Sequence, residues 1–103
     1  MLVQTPRFID EFIQSLDSSS RSKVIGLLDT LRTNDYQFVL CYSKKIEADL
    51  FELKIHTAKN IRIFYTYYNA NIMLLHIMIK KTWKIPAREL ETARRRLMYL
   101  QNL

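Results

Sequence analysis

In the first third of the chain apolar residues recur every three or four positions, and in the middle they alternate. Phe8, Ile9, Phe12, Ile13 and Leu16 keep helical spacing, and Val24, Leu27, Leu28 and Leu31 repeat the i, i+3, i+4, i+7 pattern up to about Asn34. From about residue 36 the composition turns β-branched and aromatic and the period falls to two. Thr5-Pro6 reads as the start of the first helix, a hydroxyl cap followed by a proline whose missing N–H costs nothing in the first turn. Residues 17–20 supply a polar break and a choice of caps for the second, so the two helices form an αα-hairpin.

Three strands follow. In residues 50–56, Phe51, Leu53 and Ile55 point one way and Glu52, Lys54 and His56 the other, so only one face is expected to meet the core. A turn at about 57–59 leads to residues 60–68, where Ile61, Ile63, Tyr65 and Tyr67 oppose Arg62, Phe64, Thr66 and Tyr68. A second turn, Asn69-Ala70-Asn71, leads to residues 72–81, apolar on both faces for most of their length, as in a central or doubly covered strand. Short connections make the three an antiparallel meander.

Pro86 opens a last helix, to about Gln101, with Leu90, Ala93, Leu97 and Leu100 as its apolar stripe. Glu89 and Glu91 stand near its start and Arg94, Arg95 and Arg96 further along, as the helix dipole favours. The expected fold is therefore α+β: two N-terminal helices packed on a small, mainly antiparallel sheet, with a C-terminal helix. At 103 residues the chain has length for one core and one domain, spanning 1–103.

Charge narrows the function. The net charge is +6, yet residues 1–43 hold four basic and five acidic side chains, while residues 44–103 hold twelve basic and five acidic. Such a field favours nucleic acid, an anionic membrane or an acidic protein partner. Cys41 is the only cysteine, so no intrachain disulfide or Cys-rich zinc site is expected, which suits a reducing, cytoplasmic setting. No signal peptide is visible, and the longest apolar stretch, residues 72–79, is too short to span a bilayer. The one glycine, Gly26, lies inside a helical pattern, which excludes a Gly-rich phosphate loop. His56 and His76 have no metal-ligand spacing, so neither a metal nor a cofactor is expected.

The run SKKIEADLFELKI, followed by NIRIFYTYY and then IMLLHIMIKKTWKIPARELETARRR, resembles the phage-derived, HigB-like toxins of the RelE/ParE superfamily. The resemblance runs in order from about Phe8 to Tyr99. It implies a RelE-like fold and the toxin of a type II toxin–antitoxin pair, a ribosome-dependent mRNA endonuclease neutralised by a cognate antitoxin that often has a helix-turn-helix domain. The chain departs from the pattern at Lys54, where arginine is usual, at His56, at Ile77 and in Thr82-Trp83-Lys84-Ile85, which lacks the tyrosine many superfamily nucleases carry. Two alternatives stay open: a ParE-like gyrase inhibitor, and a catalytically impaired relative that only binds its antitoxin.

Metal-free RNA cleavage needs a base for the 2′-OH, cations for the phosphorane and an acid for the 5′-oxygen. Lys54 is the first candidate, because it shares a polar strand face with Arg62 if the turn between them has an odd number of residues. Lys80 and Lys81 end the neighbouring strand, and His56 has a side chain suited to acid–base work. Lys44, Lys45, Lys84, Arg94 and Arg95 are candidates for phosphate contacts, and Tyr68 and Trp83 for base stacking. His76, set in the most apolar strand, reads as a hydrogen-bonded, half-buried residue. The expected partners are the antitoxin and mRNA on the ribosome, and no membrane.

Overall fold

The structure, a computed structural model, describes residues 1–33 and 36–103. Along the chain come β1 (Val3–Gln4), α1 (Arg7–Gln14), α2 (Ser18–Arg32), α3 (Tyr36–Tyr42), β2 (Ser43–Glu47), β3 (Leu50–His56), β4 (Asn60–Tyr68), β5 (Asn71–Ile79) and α4 (Ala87–Gln101). The strands form one sheet in the order β1-β5-β4-β3-β2. β2 to β5 are an antiparallel meander, and β1 adds parallel to β5, Val3 opposite Ile72 and Gln4 opposite Met73. The fold is α+β, as the periods require.

Local chemistry sets the helix starts. Asp17 caps α2, its carboxylate accepting from the Ser20 N–H at 3.0 Å. Those contacts hold its pKa at about 2, Ser20 being the main cause. Thr5 does not cap α1; Pro6 takes the cap position without a side-chain bond, and its carbonyl accepts from the Ile9 and Asp10 N–H groups, both at 3.0 Å. The expected end of α2, about Asn34, lies outside the described residues.

The change to period two comes later than its composition suggests. Residues 36–42 are helical, because Phe38 is buried in the core and its ring meets that of Tyr42, one helical turn on, at 5.0 Å. Tertiary packing here outweighs the strand preference of Tyr, Phe and Val.

Two cores flank the sheet. On one face Leu53, Ile55, Ile61, Ile63, Tyr65, Ile72, Leu74 and Ile77 meet Ile9, Ile13, Val24, Leu28, Leu31 and Phe38 from α1, α2 and α3. On the other, Leu50, Phe64, Leu75 and Met78 meet Ala93, Leu97 and Leu100 of α4. The polar strand face is thus only partly open: α4 crosses it. Removing one fully buried leucine, such as Leu31 or Leu53, to alanine would cost about 2–5 kcal/mol. Among the described residues no helix is long and apolar enough to cross a membrane.

Candidate functional site

A three-residue turn joins β3 to β4, fixed by Thr57 Oγ1, which accepts from the Lys59 N–H and donates to the Lys59 carbonyl, both at 3.0 Å. The odd count sets Lys54 directly opposite Arg62. β2 adds Lys44 opposite Glu52. Cross-strand partners share a face, so Lys44, Glu52, Lys54 and Arg62 lie together on the face that α4 half covers.

Where α4 begins, the segment after β5 closes the remaining side. The result is an open cleft of about 350 Å³ lined by Lys44, Ile46, Glu52, Lys54, Arg62, Lys80, Lys84, Ile85 and Leu90. Five cations thus surround one carboxylate. Lys44, Lys54, Arg62, Lys80 and Lys84 are brought together from β2, β3, β4 and the segment leading to α4.

The floor of the cleft is its least ordinary part. Glu52 is 2% exposed and Arg62 6%. Arg62 Nε and Glu52 Oε2 stand 3.8 Å apart, which is ion-pair range but too long for a hydrogen bond, and neither atom has a hydrogen-bond partner among the described residues. Among the described residues the guanidinium makes one hydrogen bond, from Nη1 to its neighbouring Ile61 carbonyl at 3.3 Å. Withdrawing a charge pair from water without bonding it is costly. Both atoms have almost no exposed surface, so the pair lies beneath the floor of the cleft with hydrogen-bonding capacity unused.

The other candidates are spread out. His56, exposed, meets the Asn60 side-chain oxygen through Nδ1 at 3.2 Å, one turn of the pleat beyond Lys54. Lys45 pairs opposite Phe51 and so faces away from the cleft. Trp83 is 90% exposed on the segment beside the cleft, and with Lys84 and Arg94 it lines a neighbouring shallow depression. Tyr68, at the far end of β4, is half-buried against the second core. The strand expected to run to residue 81 stops at Ile79, so Lys80 and Lys81 lie just past its end; Lys80 lines the cleft, and Lys81 lines a different cavity, together with His76.

The arginine triplet of α4 divides three ways. Arg94 donates to Glu47 at 2.7 Å, which raises its pKa, while Arg95 is exposed to solvent. Arg96 turns inward: one Nη1 donates to the Leu75 carbonyl and to His76 Nδ1, both at 3.0 Å, and the guanidinium lies 4.3 Å from the centre of the Phe8 ring. Burial, and then neighbouring Arg95, lower its pKa. The His76 Nε2–H points at the Glu89 carboxylate, so His76 is hydrogen-bonded and half-buried, as its strand suggested.

Sequence reasoning offers Glu52 as an ion partner for Arg62 across the hairpin, which their 3.8 Å approach bears out, but passes over its burial and the inward turn of Arg96. The alternation puts Glu52 beside Lys54, which was a usable signal; its burial depends on α4. Among the described residues no group of three or more His, Cys, Asp or Glu side chains is placed to hold a metal ion.

A family model described as phage-derived protein, Gp49-like (DUF891), matches residues 11–98. The chain belongs to this phage-derived Gp49-like family. The match extends from Glu11 in α1 to Met98 in α4 and so takes in every residue lining the cleft. No curated protein was found to match the chain.

Proposed function

We propose that this Gp49-like protein is a HigB-like toxin of a type II toxin–antitoxin pair, cutting mRNA on the ribosome without a metal and held in check by an acidic antitoxin. The observation that carries the reading is the cleft, with Lys44, Lys54, Arg62, Lys80 and Lys84 around a buried, unbonded Glu52.

A ribose–phosphate unit entering the cleft meets cations on three sides. The 2′-oxygen loses its proton to a basic group, for which Lys54 is the candidate, and bonds to the adjacent phosphorus. Charge gathering on the phosphorane oxygens is stabilised by Arg62 and by Lys80 at the strand end. The bond to the 5′-oxygen breaks, that oxygen takes a proton from the conjugate acid of the site or from His56, and a 2′,3′-cyclic phosphate remains. Lys44 and Lys84 hold the flanking backbone. Trp83, almost fully exposed at the cleft's edge, is placed to stack on a splayed base.

The test is induced expression followed by mapping of mRNA ends. New cuts in translated messages are expected, and Lys54→Ala should reduce them by orders of magnitude. Intact messages with damaged DNA would replace this reading by gyrase inhibition. Intact messages with normal growth, in a chain that still copurifies with an acidic partner, would leave a binding role alone.

A further inference from the structure

The outer edge of β5 is only partly used by the protein itself. β1 covers it at Ile72 and Met73, and the chain then turns at Pro6 into α1. The register slips between Phe64 and Tyr65, leaving Leu75 as the extra residue of a bulge, and Arg96 takes the Leu75 carbonyl. Beyond it, no strand among the described residues pairs with the outer side of residues 76–79.

The orientation of that free stretch follows from one bond. The Lys80 N–H donates to the Asn60 carbonyl of β4 at 2.6 Å. Peptide groups alternate along a strand, so the N–H and C=O groups of Ile79 and Ile77 point away from β4. Both side chains pack in the first core, which fixes these backbone groups in place. They border a cavity of about 440 Å³ between Phe8 and Phe12 of α1 and Glu89 and Arg96 of α4, with Lys81 at its end. Proteins usually close such edges with bulges, lysines or covering segments. Here those devices stand at 72–75 and at 80–81, with an unpaired ladder between them.

We propose that this edge receives an extended strand from an acidic partner protein. An amide ladder selects a polypeptide backbone over a nucleic acid, because only the backbone returns matching donors and acceptors at strand spacing. Charge selects the partner. Lys81 and Arg96 line the cavity against one carboxylate, Glu89, so its lining residues carry a net positive charge. A second copy of this chain would bring another Lys80-Lys81 pair and a further +6 to the contact. The inference does not depend on nuclease activity; the strand and the RNA would use different sides of β5.

The test uses the full chain and a short capped peptide alternating valine and glutamate, read by amide hydrogen exchange resolved to single residues. Exchange at Ile77 and Ile79 should slow by about tenfold or more at saturating peptide. A fully N-methylated counterpart, with the same side chains and charge, should bind at least about tenfold more weakly, since it cannot extend the ladder. Protection centred on Lys54 and Arg62, equal binding of the methylated peptide, or no protection at all would overturn the proposal. So would protection that rises with protein concentration in the absence of peptide, which would assign the edge to a second copy of the chain.

Discussion

Arg62 and Glu52 answer to stability as well as chemistry, and this decides which substitutions are informative. Removing one member of a buried ion pair leaves the other charge out of water without compensation, at a cost of about 3–5 kcal/mol. Arg62→Ala should therefore lower the urea midpoint markedly, and Glu52→Gln introduced with it should recover part of the loss. Lys54 is only partly buried and has no ion-pair partner among the described residues, so Lys54→Ala should shift stability by less than about 0.5 kcal/mol. A loss of cutting in the Lys54 variant then reports on the cleft, whereas the same loss in the Arg62 variant must first be corrected for unfolded protein. The shared face of Lys54 and Arg62 was readable from alternation and an odd turn. The burial of Glu52 was not, because it follows from α4 crossing a face whose pattern looked solvated.

Asp17 makes a prediction of its own. Its carboxyl titrates at about 2 in the folded chain, below its ordinary 3.8, so the folded state favours the ionised form. The stability this supplies is present above the ordinary value and is lost as pH falls through about 2. Asp17→Asn keeps a capping oxygen and removes the titration. Denaturant midpoints of the two proteins should differ at neutral pH and converge between pH 4 and 2; parallel curves would show that the cap owes nothing to charge.

At the scale of elements, two small residues stand in each other's natural places. Gly26 is inside α2, and a Cβ built there meets nothing within 4 Å. Ala70 is in the β4–β5 turn with φ 63°, next to Asn69 at 51°. Helix interiors favour alanine over glycine by about 0.5–1 kcal/mol, and a left-handed backbone disfavours alanine by about 1–2 kcal/mol. Gly26→Ala and Ala70→Gly should each raise the thermal midpoint, and the double variant should show nearly the sum, because the sites belong to separate elements. The turn itself was plain in Asn69-Ala70-Asn71, but its left-handed geometry was not, since glycine, the usual signal, is absent. The same limit applies to α3, whose YQFVLCY run carries strand formers and is held helical by where Phe38 lands in the core.

Across the whole molecule, the excess of positive charge after residue 43 becomes surface of two kinds. Lys44, Lys54, Arg62, Lys80 and Lys84 converge on the cleft, while Lys45 looks out from the opposite face of β2 and Arg94 is tied to Glu47. Composition alone could not separate these sets; the register of β2 on β3 does. The separation is measurable with a single-stranded RNA whose 2′-hydroxyls are methylated so that it binds without being cut. Each phosphate neutralised contributes about −0.7 to the slope of log affinity against log salt for a single strand, so five cleft cations set an upper bound of about −3.5. Lys44→Gln should reduce the slope by about 0.7, because Lys44 sits at the cleft wall as a point charge. Lys45→Gln, with the same change in net charge one residue along, should leave the slope where it was. Equal effects of the two would mean that RNA responds to the overall field of the domain, and the cleft would lose its claim to be the binding surface.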